Sequence, residues 1–595
     1  MLLPFDSRNI NFKSPFGATD TSTMVKINFP VPHIVGAEKV FMLFRGKHEF
    51  RLELYEYKRD LDFVYFKTSF CLEDSGAYFY RFELHTQNGM QIAGHNGDGK
   101  AMLKHFLSEW QLTVYKTGYQ TPDWLKGGVI YQIFPDRFNR VADAKSPARG
   151  YLKDWHDDVT IVDGDGVFRA NDFFGGNIKG VKEKIPYLKD LGVTAIYFCP
   201  IHEATSNHRY DIGNYMKVDE LFGTEEELKN LIDCCHSNGI GIIMDGVFNH
   251  TGADSLYFNK FKHYDSEGAC QSKHSPYYDW YSFQNYPDTY SCWWGITVVP
   301  EIRRDAISYQ NFIAGDNGVI EKFSRLGVKG WRLDVVDEIS PDFVKKIRAK
   351  VKSFGDLALI GEVWEDASTK YSYSEEREYF FGEELDGVMN YVFKASILDY
   401  IRQVNPKKFV NEVMSIAENY PRESLDLCMN IIGTHDTVRI INELSGKTPP
   451  PTKKERLNYR LTDSEYNKGK TLLKLASVLQ YMLPGIPTVY YGDEVGLQGY
   501  EDPINRRPFP RNTDKELLSH YTRLGAIRKE YREEFKKPFS VTQLGSAVAI
   551  KIGNLTAIVN ASEAPVDLCG EVSDILTNQK ITILQPKQAI VFKTN

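Results

Sequence analysis

The stretch Ile178-Lys179-Gly180-Val181-Lys182-Glu183-Lys184-Ile185-Pro186-Tyr187-Leu188-Lys189-Asp190-Leu191-Gly192-Val193-Thr194-Ala195-Ile196-Tyr197-Phe198-Cys199 decides the architecture. Ile178, Val181, Ile185 and Leu188 recur in steps of three and four, which predicts a helix over 178–191 with one apolar face. The run 194–199 is apolar and short, the texture of a strand covered on both faces. Similar strand text recurs at 129–134, 241–248, 330–335, 358–363, 387–389, 427–432 and 487–491, and further helices are expected at 225–238, 341–353 and 468–481. Eight buried strands alternating with helices over some 400 residues predict an α/β fold, a (β/α)8 TIM barrel spanning 121–530.

Outward from the barrel the texture changes twice. Residues 1–120 alternate polar and apolar between turn signals such as Asn88-Gly89 and Asn96-Gly97, which predicts an N-terminal β-sandwich, a carbohydrate-binding-like module. Residues 531–595 return to strand text, a C-terminal all-β domain. After the third barrel strand, 251–310 is long and loop-like, as an inserted subdomain over the mouth would be. Between Tyr277 and Trp294 it carries Tyr278, Trp280, Tyr281, Phe283, Tyr286, Tyr290 and Trp293. Some of these rings must pack beneath the loop, and the rest can stack on sugar faces.

Composition narrows the partners. With 72 basic against 79 acidic residues and a formal charge of −7, the 595-residue chain lacks the electrostatic footprint of a nucleic-acid or membrane binder. It has no apolar run long enough to span a bilayer, and Met1-Leu2-Leu3-Pro4-Phe5-Asp6 lacks the basic start of a leader, so a cytoplasmic location is expected. The eight cysteines form no CxxC pair and read as buried thiols.

Reactive groups of such a barrel sit at the C-terminal ends of strands. There the text reads Asp245-Gly246-Val247-Phe248-Asn249-His250, Gly330-Trp331-Arg332-Leu333-Asp334, Gly361-Glu362-Val363-Trp364 and Gly433-Thr434-His435-Asp436. Setting aside Asp245, which lies earlier in its strand, three carboxylates, an arginine and two histidines meet at one mouth. A strand-end Asp taken alone is more often a helix cap; four strands ending this way in order reverse that reading. Mutual repulsion among such carboxylates raises at least one of them, which is the split that glycoside hydrolysis needs. Arg332 and Asp334, two apart on a strand, share a face.

These motifs resemble the α-amylase family of glycoside hydrolases, within it the cyclomaltodextrinase, neopullulanase and maltogenic amylase group. Tyr131-Gln132-Ile133-Phe134-Pro135-Asp136-Arg137-Phe138 and Ser206-Asn207-His208-Arg209-Tyr210-Asp211 carry the group likeness. The resemblance implies a retaining mechanism with Asp334 as nucleophile, Glu362 as acid and base, and Asp436 holding ring hydroxyls. It further implies that His250, His435 and Arg332 act at the same sugar and that Tyr210 stacks beneath it. Asp502 and Arg506 would form an outer clamp, and Glu338 and Trp364 would shape the acceptor side. Implied partners are α-glucan oligosaccharides and cyclodextrins, with pullulan among the substrates and transfer to sugars beside hydrolysis. A homodimer through the N-terminal module is implied as well.

Two motifs depart from the group. Asn139-Arg140-Val141-Ala142-Asp143 and Gly175-Gly176-Asn177 stand where a structural calcium site is often built, and the second lacks its carboxylate; no cofactor is expected to be required. Val298-Val299-Pro300-Glu301-Ile302 matches neither the group nor the oligo-1,6-glucosidases, and Glu365 stands where the group usually has His. An α-1,6-glucosidase, a glucosyl-transferring isomerase and, in another class, a non-catalytic glucan-binding protein remain the alternatives.

Overall fold

The computed structural model describes residues 1–103, 108–141, 144–164 and 166–594, and its chain divides into two compact units. The first unit comprises Met1–Thr121, Glu365–Asp386 and Lys407–Leu425; the second comprises Pro122–Trp364, Gly387–Pro406 and Asp426–Asn595.

In the first unit, mostly antiparallel strands form an 11-stranded arrangement, with one parallel pairing between Thr19–Asp20 and Trp110–Tyr115. In the strand Val25–Pro32, Val25, Ile27, Phe29 and Val31 are buried while Lys26 is exposed, the alternation of a sheet with one face on a core. Phe29 lies 4.1 Å from Phe82 and Tyr80 5.4 Å from Trp110, so stacked rings fill that core. Gly76–Thr86 and Gly89–His95 pair through the expected Asn88-Gly89 turn, where Gly89 has φ 112°. The two segments from the later chain are tied in by specific bonds. Gln111 Nε2 donates to Ser368 Oγ at 2.9 Å, Tyr119 Oη to the Leu385 carbonyl at 2.7 Å, and Arg8 Nη2 to Ser415 Oγ at 2.9 Å.

The second unit is built on eight parallel strands: β1 (Ile130–Ile133), β2 (Ala195–Phe198), β3 (Gly241–Gly246), β4 (Gly330–Leu333), β5 (Ala358–Gly361), β6 (Gly387–Val388), β7 (Met429–Ile431) and β8 (Ile486–Tyr490). Their sheet order is 6-5-4-3-2-1-8-7, and a parallel bridge between Met389 and Met429 joins its ends. Every residue of β1, β2 and β4 is buried, as the unbroken apolar text requires. The helix expected over 178–191 forms as two, Ile178–Glu183 and Ile185–Asp190. Pro186 has no N–H to continue the first helix, and it occupies the first turn of the second, where none is needed.

Within the insertion, Trp280, Tyr281 and Tyr290 are buried, whereas Trp294 is 82% exposed. The C-terminal strands Phe539–Leu544, Ala547–Ile552, Leu555–Asn560 and Gln588–Lys593 form an antiparallel sheet, and Val566–Ser573 pairs with Lys580–Leu584. No helix among the described residues is long and apolar enough to cross a membrane.

Candidate active site

The pairing of β3 with β4 sets Asp245 opposite Arg332, and the β4–β5 register sets Arg332 opposite Ile360. Arg332 is fully buried. Its Nη1 donates at 2.8 Å to Asp245 Oδ1 and at 2.8 Å to Asp334 Oδ1, while Nη2 lies 2.7 Å from Glu362 Oε2. One guanidinium therefore faces three carboxylates, each at most 10% exposed. Burial pushes the Asp334 carboxyl well above its usual range; Arg332 opposes the rise, and the charges of Glu362 and Asp245 add to it. Burial raises Asp245 in the same way. Burial works against the charge on Arg332, but Asp245 and Glu362 outweigh it and hold the cation. Protonation of such a group belongs to the whole cluster.

Asp245 is the member that the sequence reading set aside. Its Oδ2 accepts from Tyr197 Oη at 2.7 Å and Tyr210 Oη at 2.9 Å. A strand partner of Arg332 on the same face would have exposed it, but that register is long-range information.

Tyr210 also meets His435 Nε2 at 2.6 Å, and Gln132 Nε2 meets His435 Nδ1 at 2.8 Å. Gln132 donates to Nδ1, so Nε2 carries the proton and donates toward Tyr210 and toward Asp436 Oδ2 at 3.1 Å. Burial, reinforced by Arg506 and Arg332, pushes His435 well below its usual value and keeps it neutral. His250 is likewise neutral, pushed down to about 4 by burial. Its Nε2 bonds the Tyr210 carbonyl at 3.2 Å, which leaves Nδ1 as a buried acceptor with no partner among the described residues.

Glu362 is aimed from both sides. Its Oε2 accepts the Val335 N–H at 2.9 Å and its Oε1 the Trp364 indole N–H at 3.0 Å. Trp364 is half exposed and stacks on Tyr391 at 3.8 Å with 13° between planes. Val335 has φ 38° and ψ 49°, a left-handed conformation costly for a β-branched residue. That reversal directly after Asp334 is what turns its N–H toward Glu362, and nothing in Leu-Asp-Val-Val announces it.

At the β7–β8 side, Asp436 keeps 31% of its side chain exposed and meets Arg506 Nη2 at 3.4 Å. Arg506 Nη1 lies 3.0 Å from Asp502 Oδ1, so the expected clamp pair is together and reaches Asp436 too. Burial raises the Asp436 carboxyl, and Arg506 and Arg332 oppose that rise. At the β3–β4 side, Glu338 Oε2 accepts from Asn249 Nδ2 at 3.0 Å and Oε1 from the Trp294 indole at 3.0 Å.

The alpha amylase catalytic-domain profile matches residues 132–301 and 314–536. This chain belongs to the alpha-amylase family. An amylopullulanase of Thermoanaerobacterium saccharolyticum is 34% identical over 88% of this chain and 44% of its own length. A cyclomaltodextrinase of Thermoanaerobacter pseudethanolicus is 28% identical over 94% of this chain and 95% of its own. The cyclic alpha-maltosyl-(1→6)-maltose hydrolase of Arthrobacter globiformis is a structural relative with a TM-score of 0.65 and 26% identity, covering 80% of this chain and 100% of its own. The chain spans less than half the length of the amylopullulanases it matches, 44%, 30% and 39% of three of them.

At the position where the resemblance places a calcium site, the described amides bond to backbone. Asn177 Oδ1 accepts the Gly180 N–H as a helix cap, and its Nδ2 donates to the Val141 carbonyl at 2.8 Å. Asn139 Nδ2 donates to the Gly180 carbonyl at 3.0 Å. Among the described residues no anionic oxygen joins them; Ala142 and Asp143 of that motif lie outside the described residues.

Proposed function

We propose that this alpha-amylase family member is a retaining α-glycoside hydrolase. Its substrates are α-1,4 and, secondarily, α-1,6 glucosidic bonds in cyclodextrins, pullulan and maltooligosaccharides, with transfer to sugar hydroxyls beside hydrolysis. The observation that carries the reading is the set of three carboxylates on Arg332, between 2.7 and 2.8 Å from it, at the ends of β3, β4 and β5.

Asp334 attacks the anomeric carbon while Glu362 gives its proton to the departing glycosidic oxygen, so the C–O bond breaks as a glycosyl ester forms. Glu362, now a carboxylate, takes a proton from water or a sugar hydroxyl, which displaces Asp334 and restores both groups. Arg332 directs Asp334 and screens it from Asp245. Asp436 and His435 bind ring hydroxyls as positive charge develops at the anomeric carbon, and the free Nδ1 of His250 accepts another. Tyr210, fixed by Asp245 and His435, underlies the same sugar; Asp502 and Arg506 hold the next. All these steps run on side chains, and we propose that no cofactor is required.

The names of the relatives support the substrate class, because amylopullulanase, cyclomaltodextrinase and maltosyl-maltose hydrolase all describe action on α-glucans. A homodimer is proposed on the group likeness. Incubation with β-cyclodextrin, pullulan, starch and isomaltose tests the assignment. Faster cleavage of β-cyclodextrin and pullulan than of starch is expected; glucose released from isomaltose with cyclodextrin untouched would move the chain to the α-1,6-glucosidases.

A further inference from the structure

We propose that Asn505 is the positioning residue for Asp436, holding the backbone on both sides of that carboxylate so that it meets the ring hydroxyls as charge develops at the anomeric carbon. This rests on the glycosidase reading above and adds to it a residue too deeply buried to touch a sugar. In sequence Asn505 lies between the clamp residues Asp502 and Arg506, in the short turn Ile504–Arg506.

Its Nδ2 lies 2.7 Å from the His435 carbonyl and 2.8 Å from the Thr437 carbonyl. Two carbonyl oxygens at such distances admit only the nitrogen end of an amide, so the partners themselves fix which way the side chain faces. Both protons of that nitrogen are spent on the residues before and after Asp436. The loop's own bonds do not reach these carbonyls. The Thr434 N–H donates to Thr437 Oγ1 at 2.9 Å, the Thr437 N–H to the Thr434 carbonyl at 3.2 Å, and the Asp436 N–H to Thr434 Oγ1 at 3.2 Å. Arg506 Nε adds a second bond to the His435 carbonyl at 3.1 Å, and its Nη2 lies 3.4 Å from Asp436 Oδ1. One turn thus holds the backbone and the carboxylate together.

The turn is anchored in its own right. The Asn505 carbonyl accepts from Arg439 Nε at 2.7 Å, and Arg439 Nη1 donates at 2.9 Å to Asp493 Oδ1, just past β8. Arg439 and Asp493 are buried, so the contacts that end at Asp436 begin on the barrel wall. Asp436 itself stands on a loop with 31% of its side chain exposed, where its own packing cannot fix it. A misplacement of about 1 Å can cost roughly a hundredfold in rate. A half-open carboxylate with a transition-state role therefore needs a buried amide behind it.

A double-mutant cycle tests the assignment, with kcat and KM measured per folded molecule on α-maltosyl fluoride. Asn505→Ala is expected to lower kcat about thirtyfold or more and to change KM less than about threefold, because Asp436 acts as charge develops. In an Asp436→Ala background the same substitution should cost less than about threefold, since its target is gone. Beside Tyr391→Leu, which acts through Trp364, it should keep its full effect. Asn505→Asp, of equal size, sets an acceptor against both carbonyls and should match Asn505→Ala, which covers the case in which the smaller side chain fails to fold. Equal losses with and without the Asp436 carboxylate, or an Asn505→Asp enzyme within about threefold of the parent, would overturn the positioning role. A parent inactive on α-maltosyl fluoride would instead overturn the glycosidase reading. Calorimetry with maltose would then decide: weaker binding with Asn505→Ala in the parent and no further loss with Asp436→Ala supports the role, and the same loss in both overturns it.

Discussion

Two of the barrel's buried arginine–carboxylate groups differ in who completes their hydrogen bonds. Around Arg137, Asp136 lies 2.6 Å away and Asp172 3.5 Å away, with all three side chains at most 2% exposed. The Asp136 carboxylate also accepts the Phe174 and Gly175 N–H groups, and Asp172 accepts the Thr160 N–H and the Asn207 amide. Around Arg332 three carboxylates compete for one cation, and their remaining contacts are tyrosine hydroxyls, an indole and a strained amide. The first group is saturated and holds the loop after β1 against its neighbours. The second carries surplus negative charge at a mouth that opens toward Asp436, and this incomplete neutralisation supplies a nucleophile and a shared proton.

Substitutions should therefore separate rate from stability. The largest effect is expected for Asp334→Asn, a loss of about four orders of magnitude or more in kcat, as when a covalent nucleophile is removed. Thermal unfolding should show that variant no less stable than the parent, because one of three competing charges is gone. A residual rate within tenfold of the parent would refute the role of Asp334.

Arg137→Met should invert the pattern. Breaking a buried pair on one side costs about 3–5 kcal/mol. Denaturant unfolding should report that loss, while kcat per folded molecule falls less than tenfold. If activity fell as steeply as for Asp334, the two clusters would not be distinct.

The next effect concerns pH. Asp334 must be ionised to attack, and burial has raised its carboxyl, so the rate should be lost as pH falls, along an acid limb above the range of a free aspartate. Arg332 opposes that rise, so Arg332→Gln should shift the acid limb of kcat/KM further upward, on top of a lower maximum. An unmoved limb would separate Arg332 from Asp334. The smallest effect is expected at the aromatic support of the acid: Tyr391→Leu removes the ring under Trp364 and should lower activity by roughly threefold to tenfold, consistent with the loss of one stacking contact worth about 0.5–1.5 kcal/mol.

Much of this was legible in the sequence because barrel strands are covered on both faces and read as continuous apolar runs. Asp334, Glu362 and Asp436 stand out as polar groups ending such runs. Asp245 did not, since only its register opposite Arg332 reveals it. Val335 reads as strand text, and its left-handed turn is imposed by tertiary contact. Trp294 was one of nine rings between Tyr277 and Trp294, and exposure is not written in a local string. The attachment of Glu365–Asp386 to the N-terminal unit depends on pairs such as Gln111 with Ser368, 257 residues apart. The break at Lys184 was readable in principle from Pro186, and the helical spacing of Ile178 to Leu188 hid it.

The most direct test of the retaining account is peptide mapping of a trapped intermediate. Glu362→Gln enzyme would be mixed with α-maltosyl fluoride, which needs no acid to leave, then acid-quenched, digested and analysed by mass spectrometry. The account predicts a maltosyl ester on Asp334, accumulating because the base for the second step is gone. A maltosyl group on another carboxylate, or turnover with no labelled peptide and inverted product, would contradict it.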